Sequence, residues 1–598
     1  MADDGTTTFL GIERSLSGKR WYSREVDQRL AAAIAQRHGL GEVAARVLAG
    51  RHVELERIEE FLEPTLRRSL PDPSLLRDMD KAALRLAEAV ARGEKIAVFG
   101  DYDVDGATSA ALLLRFFRAV GGDIGAYIPD RHKEGYGPNA AALIKLRQGG
   151  VNVVVTVDCG ITAFEPLAAA REVGLDVVVI DHHVAEPRLP EAFAVVNPNR
   201  LDEDRSLGSL AAVGVAFLLV VAVNRALRSA GWYSDARPEP SLTQWLDLVA
   251  LGTICDMVPL TGVNRVLAVQ GLKVMALRRN PGLVALGEVA RVMEPPGTFH
   301  AGFLFGPRVN AGGRIGAADL GTRLLSSDDT SETRALAERL DALNTERRAI
   351  EASVLDLALR QVEAMQAGNG LPAALVLDGE GWHAGVIGIV ASRVVERVHR
   401  PVFVIGFDGE IGKGSGRSIR GVDLGGIVIA ARQSGLLING GGHPMAAGLT
   451  VARNRLVELR EFVVERVSGI LGGQVPAPGL AIDGPLMPLA ATLDLAEQIG
   501  RIGPFGIGNP EPRFVLPSVQ VAYASRVGED HVRCTLSAGG AKVAAISFRS
   551  AGNAVGQTLL QSGGLPLHVA GALRLNRWQG RTEVQFQVDD AAAAAKGT

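Results

Sequence analysis

Asp101, Asp103 and Asp105 alternate inside Gly100–Gly106, and Asp158 follows Val157. Asp181, His182 and His183 are consecutive, and Asp256 is the single carboxylate in the apolar stretch Leu251–Leu260. Carboxylates and imidazoles in such numbers suit a two-metal hydrolase, whose ions sit roughly 3.5–4 Å apart and share bridging ligands. Asp103 and Asp105, two residues apart, can each reach a different ion. Asp158 is the natural bridge, and His182 adds an imidazole ligand. His183 is read as a contact to a substrate phosphate. An isolated Asp256 in apolar surroundings would be costly unless paired or metal-bound. The expected metal set is Asp101, Asp103, Asp105, Asp158, His182 and Asp256. The expected catalytic set is Asp103, Asp105, Asp158, His182, His183 and Asp256. Mixed nitrogen and oxygen donors favour two Mn²⁺ ions, with Mg²⁺ as the alternative.

The acidic groups converge only if the elements carrying them are neighbours. Lys95–Phe99, Val151–Val157 and Asp176–Ile180 are apolar, β-branched runs that end in the acids, and helical patterns follow. That alternation predicts a parallel α/β sheet, which collects ligands beyond the carboxyl ends of its strands. A helix is expected over 107–120 and a short strand over 122–128. Leu210–Val223 is shorter than the ~20 residues that span a bilayer and reads as a buried helix.

Further along, 331–367 holds one long amphipathic pattern through Leu336, Leu340, Leu343, Ile350, Val354, Leu357, Ala358 and Val362. A helix of that length can bridge two lobes. A second α/β pattern follows, with strands at 373–377 and 401–405. Five alternating strands after 515 predict a small barrel of OB type. The fold class is therefore multi-domain α/β with a C-terminal β-barrel. The expected divisions are a helical region at 1–75, a parallel-sheet domain at 76–330 and the long helix at 331–367. A smaller α/β domain at 368–472, the barrel at 473–592 and a disordered tail at 593–598 complete the chain.

At 598 residues three or four domains are expected. A net charge of −3 offers no global basic field, so any nucleic-acid role must rest on a local groove. Three cysteines (Cys159, Cys255 and Cys534) support no disulfide framework; they read as buried packing in a reducing cytoplasm. The N-terminus carries Asp3 and Asp4 without an apolar leader, so no signal peptide and no membrane association are expected.

Phosphate donors cluster in two places. Arg308, Asn310 and Arg314 fall within 306–314, and Ser415, Arg417, Ser418 and Arg420 within 414–420. Gly441 and Gly442 precede His443, a flexible backbone beside an imidazole, which suits close approach to a phosphate. Arg favours bidentate phosphate contacts. Trp382 is a candidate for stacking on a base.

With Gly100–Gly106, Val157-Asp-Cys-Gly160, Val179-Ile-Asp-His-His183, Gly252–Leu260, Val386–Arg393, Gly414–Ser418 and Gly440–Gly448 in this order, the chain resembles the DHH phosphoesterase superfamily. The likeness is strongest to its bacterial exonucleases specific for single-stranded DNA. The resemblance implies a DHH catalytic domain, a smaller DHHA1-type domain and a nucleic-acid-binding barrel. It implies 5′→3′ hydrolysis of single-stranded DNA to 5′-mononucleotides in repair and recombination, through a groove between lobes too narrow for a duplex. Single-strand-binding protein and a helicase are the implied partners, and a monomer is expected. One departure stands out: many members carry His four residues before the first Asp of the Asp-x-Asp pair, and here that residue is Phe99. Asp101 is the nearby compensating ligand. Two alternatives remain at this point. One is a phosphodiesterase acting on short oligonucleotides or cyclic dinucleotides. The other is a non-catalytic scaffold that binds single strands.

Overall fold

A computed structural model describes residues 7–130, 134–368, 370–472, 474–578 and 581–594. Of the tail expected at 593–598, Ala593 ends a strand and 595–598 lie outside the described residues. The chain divides into two compact units. The first holds 1–313, 317–340 and 479–598, and the second 314–316 and 341–478.

The first unit contains a five-stranded sheet: β1 Lys95–Gly100, β2 Ile124–Tyr127, β3 Val151–Val157, β4 Asp176–Ile180 and β5 Ala194–Val196. Its order is β2-β1-β3-β4-β5 and every pairing is parallel. Both faces are covered, which is why the runs are apolar at every position rather than at alternate ones. Ile96, Val98, Val153, Val155 and Ile180 face one core. Ala97, Phe99, Val154, Val177 and Val179 face the other. Helices α1 Val104–Ala119, α2 Ala212–Ser229 and α3 Leu246–Cys255 line the first core. Helix α2 is long and apolar enough to cross a membrane, but 72% of it is buried here, as core. The cluster Phe116, Phe117 and Trp245 stacks edge to face beneath it, at 5.2 and 6.2 Å between centroids.

A fourth helix, α4 Gly306–Ile315, leads to α5 Thr330–Ala367, a single helix of 38 residues. Leu336, Ala337 and Leu340 of α5 belong to the first core, and Val354, Ala358 and Val362 to a core of the second unit. Leu357, expected on the apolar stripe, is 45% exposed. The second unit holds β6 Leu375–Glu380, α6 Ala384–Val398, β7 Val402–Asp408, β8 Ile411–Arg417, β9 Asn439–His443 and β10 Ala446–Ala452. Its sheet order is β9-β10-β8-β7-β6, parallel only between β6 and β7.

The C-terminal strands are β11 Phe514–Val527, β12 His531–Ala538, β13 Ala541–Ser547, β14 Leu567–Trp578 and β15 Arg581–Ala593. They run in the order β11-β12-β13-β15-β14, and β11 also pairs β14, so the barrel closes and leaves no free edge. The region 1–75, expected to stand apart, shares this barrel's core. Ile34, Leu48 and Ile58 pack with Leu536, Val569 and Phe586. Arg20–Ser23 pairs in parallel with Gly479–Ile482. Buried Trp21 donates from Nε1 to Asp590 at 2.9 Å. The N-terminal helices are too short to bury their apolar faces on each other, so they take a partner from the far end of the chain. No local pattern reveals such a pairing.

Asp247, in the first turn of α3, is 2% exposed, and the charge of Arg115 offsets only part of its burial. Burial pushes its carboxyl up to about 6 from an ordinary 3.8. A carboxyl raised in the folded state costs stability as the pH climbs above its unfolded value, and the full cost is reached above the folded one. Asp247→Asn is therefore expected to raise the melting temperature near neutral pH, by up to about 3 kcal/mol of stability. The gain should fade toward about pH 4. Thermal melts of the two proteins across this range test it, and a pH-independent difference contradicts it.

Candidate metal centre

The acids gather where β1, β3 and β4 end. Asp103 caps α1, accepting from the Asp105 and Gly106 amides at 2.9 and 3.1 Å. The turn is so tight that a Cβ at Gly106 would collide with the Asp101 carbonyl. Asp105 is 1% exposed and accepts from the Ala212 and Val213 amides at the start of α2, at 2.7 and 2.9 Å. The positive end of that helix offsets part of the burial cost. Helix α3 reaches the same place because Gly252 lets it press on α1; a Cβ there would strike the Thr108 hydroxyl. Asp256 sits at the C-terminal end of α3. The apolar segment that carries Asp256 begins as the buried end of this helix. Asp158, just past β3, has φ +60, a left-handed conformation that Asp tolerates better than most residues and that is common at functional sites.

His182 is the hub. Its Nε2 lies 3.3 Å from Asp158, 3.7 Å from Asp256 and 4.0 Å from Asp105. Its Nδ1 lies 3.0 Å from the Leu210 carbonyl, which fixes the ring and leaves Nε2 facing the acids. Three overlapping groups have donor atoms within 4.8 Å of one another: Asp101, Asp103 and Asp158; Asp105, His182 and Asp256; and Asp158, His182 and His183. Asp158 and His182 are each shared by two groups, the arrangement that paired ions require. All six residues expected to bind metal are in these groups. Neither Cys159 nor Cys255 is. Their thiols point to carbonyls, of Val157 at 3.4 Å and of Ala301 at 3.4 Å.

The charges fit a cation. Burial, then the charges of Asp256 and Asp103, holds Asp105 well above the ordinary carboxylate range. Burial and the charges of Asp103, Asp105 and Asp101 do the same to Asp158. Asp256 is pushed up to about 7 by burial and Asp103. Asp158 Oδ1 is buried and accepts no hydrogen bond. Acids this crowded hold protons near neutral pH unless divalent ions relieve the repulsion.

Asp181 was not among the expected ligands, and it positions those that were. It is fully buried and accepts from the Ile161, His182 and His183 amides at 3.0, 2.7 and 3.1 Å. It also bonds His183 Nδ1 at 2.7 Å. Burial alone would raise Asp181, but the bond and charge of His183 outweigh it and hold it low. His183 in turn is held high by Asp181 against the opposing effect of burial. Asn197 and Asn199 donate to the carbonyls of His183 and His182, at 2.9 and 2.6 Å. Tyr136 donates to the Asp158 carbonyl at 2.9 Å. Adjacency to the two His was the available signal for Asp181; nothing local marked the asparagines or Tyr136. Phe99 is fully buried and stacks on Tyr127 at 5.2 Å, so it serves the core under the sheet.

The phosphate candidates divide between the units. Arg308 and Asn310 lie on α4, with Arg308 Nη1 2.8 Å from the Leu304 carbonyl. Arg314 donates to the Gly385 carbonyl at 2.9 Å within the second unit. There, His443, Ala446 and Arg417 share one row across β9, β10 and β8, and Gly441, Gly448 and Ser415 share another. Arg417 Nη1 donates to Ser415 Oγ at 3.0 Å. Exposed Arg420 and Gly442 lie at the same sheet end. Two expectations need correction. Trp382 is 7% exposed and packs with Leu377, Val386 and Val404, so its indole is core and no base platform. Ser418 is buried and spends its hydroxyl on the Val422 carbonyl at 2.7 Å. In both cases a side chain next to exposed neighbours is turned inward by the end of a strand.

Three family descriptions match: DHH family, N-terminal domain, over 95–253; DHHA1 domain over 371–469; and RecJ OB domain over 482–590. The single-stranded-DNA-specific exonuclease RecJ of Escherichia coli is 36% identical over 557 residues, covering 91% of this chain and 95% of that one. The Bacillus subtilis protein of the same name is 33% identical, covering 97% and 71%. The crystal structure of Thermus thermophilus RecJ with Mn²⁺ superposes with a TM-score of 0.80 at 30% identity, covering 96% and 80%. A Mg²⁺ complex of that protein gives 0.74.

With Phe99 in the core, the all-oxygen group depends on Asp101. Asp101→Ala is expected to lower tight Mn²⁺ binding from about two ions per chain to about one. Equilibrium dialysis with metal analysis tests this; unchanged stoichiometry would show that Asp101 is dispensable.

Proposed function

The chain belongs to the RecJ family of DHH exonucleases, and from that premise we propose that it degrades single-stranded DNA from the 5′ end, releasing 5′-mononucleotides. The observation that carries the reading is the set of three donor groups sharing Asp158 and His182. The barrel adds support, because hydrolysis of a small molecule needs no such domain. Divalent ions, Mn²⁺ or Mg²⁺ as in the Thermus thermophilus relatives, would supply Lewis acidity and an activated water when bound.

Asp101, Asp103, Asp105, Asp158, His182 and Asp256 are the proposed ligands. His183 is proposed to meet the scissile phosphate. Asp181 occupies its Nδ1 and supports a positive imidazole, which leaves Nε2 to donate to a non-bridging oxygen. Water attacks the phosphorus in line, the bond to the 3′ oxygen breaks, and the developing charge is met by preorganised donors. Arg308, Asn310, Arg314, Ser415, Arg417, Arg420, Gly441, Gly442 and His443 are the proposed grips on the 5′ and scissile phosphates. A cytoplasmic monomer that works with single-strand-binding protein and a helicase belongs to the same reading.

Incubation with Mn²⁺ and long DNA labelled at either end tests it. A 5′ label released as mononucleotide, with a matched duplex spared, is expected. Asp158→Ala should lose turnover by a factor of at least about 10³ yet still bind the strand. Intact long DNA beside a cleaved cyclic dinucleotide would transfer the protein to small substrates.

A further inference from the structure

The segment 293–303 of the first unit exposes aromatic surface that its packing does not use. Phe299 is 57% exposed and Phe303 70%. Their rings stack at 5.4 Å between centroids, 25° from parallel. Phe303 rides on a π-helical turn, His300–Phe305, a form frequent at functional sites, and Phe299 immediately precedes it. The turn is firmly held. The Ala301 carbonyl accepts from the Cys255 thiol at 3.4 Å, and Phe305 is buried. His300 bridges the Gly297 amide and the Glu294 carboxylate, each at 2.9 Å. The aromatic pair is thus fastened to the residue that immediately precedes the proposed ligand Asp256.

The same stretch is cationic. From 273 to 308 stand Lys273, Arg278, Arg279, Arg291 and Arg308 against Glu288 and Glu294, so five minus two gives +3 in a chain of −3. Arg278 donates to the Val292 and Met293 carbonyls at 3.1 Å, tying the basic turn to the start of the aromatic segment. Arg279 and Arg291 form no ion pair among the described residues. Exposed ring faces and exposed guanidinium groups on one stretch of chain match the chemistry of a single nucleic-acid strand. Every base offers a π-face to stack, and the backbone offers phosphates to the cations.

We propose that Phe299 and Phe303 form a base-stacking platform for the DNA strand beside the metal centre, with Arg279 and Arg291 meeting its phosphates. The proposal rests on the exonuclease reading and adds the residues that hold the strand outside the ligand cluster. Both phenylalanines are exposed, so truncation leaves the fold intact.

Phe303→Ala is expected to raise KM for a long 5′-phosphorylated strand about tenfold at similar kcat, and to affect a dinucleotide much less. Phe303→Trp should keep the long-strand KM within about twofold, and its added indole emission should be quenched by oligothymidylate in Ca²⁺. A Phe299→Ala/Phe303→Ala double variant with the wild-type long-strand KM overturns the proposal and leaves the pair to a protein partner. An unquenched Phe303→Trp also overturns it. If the wild type degrades no single strand at all, the exonuclease reading fails separately, and the quenching result still decides whether bases reach the platform.

Discussion

Mutual repulsion among buried carboxylates is the constraint on which the catalytic half of this molecule turns. Asp101, Asp105 and Asp158 are 5, 1 and 3% exposed, and Asp103 and Asp256 stand beside them. A cluster of that kind does not assemble by attraction between its members. It must be forced together by the folding energy of the elements that carry it, and then relieved by cations. The parallel sheet supplies the force. Its strands are buried on both faces, so the register that brings Gly100 beside Val157, and Val157 beside Ile180, is set by apolar packing rather than by the acids.

The devices around the cluster follow from the same constraint. The start of α2 donates two amides to Asp105, and the start of α1 donates two to Asp103. Backbone amides are fixed dipoles that cannot reorient away when a proton or an ion is lost, so they keep the acids in place between turnovers. Gly106 and Gly252 remove the atoms that would hold α1 and α3 away. Asp181 is the exception that clarifies the pattern. It too is buried, but it accepts three amides and an imidazole, and it stays low where its neighbours are driven up. It fixes the ring of His183, and the contrast separates it from the acids of the three donor groups.

How much of this was legible in the sequence depended on range. The strand runs ending in Asp or His gave away the parallel sheet and the convergence of Asp101, Asp103, Asp105, Asp158 and His182, because period and chemistry coincide within a few residues; Asp256, at the end of a helix, was marked only by its apolar surroundings. The long helix was legible for the same reason, except at Leu357, where the stripe drifts off the packed face. Trp382 and Ser418 misled because type and spacing do not reveal on which side of a strand end a side chain turns. The union of the N-terminal helices with the barrel was invisible. Trp21 looks like any aromatic until Asp590 closes on its indole from the other end of the chain.

The replacement at position 99 gains its meaning from the donor sets. Phe99 is committed to the lower core with Tyr127 and offers the cluster no ligand. What remains is an asymmetric pair of sites. One group, Asp101 with Asp103 and Asp158, is all oxygen; the other, Asp105 with Asp256, includes the His182 imidazole. Carboxylate oxygens suit hard ions such as Mg²⁺ and Mn²⁺, whereas imidazole strengthens the hold on later transition metals. The two ions would therefore differ in affinity. The all-oxygen group lies at the start of α1, and Asp158 and His182, which meet again in the third group with His183, connect the two.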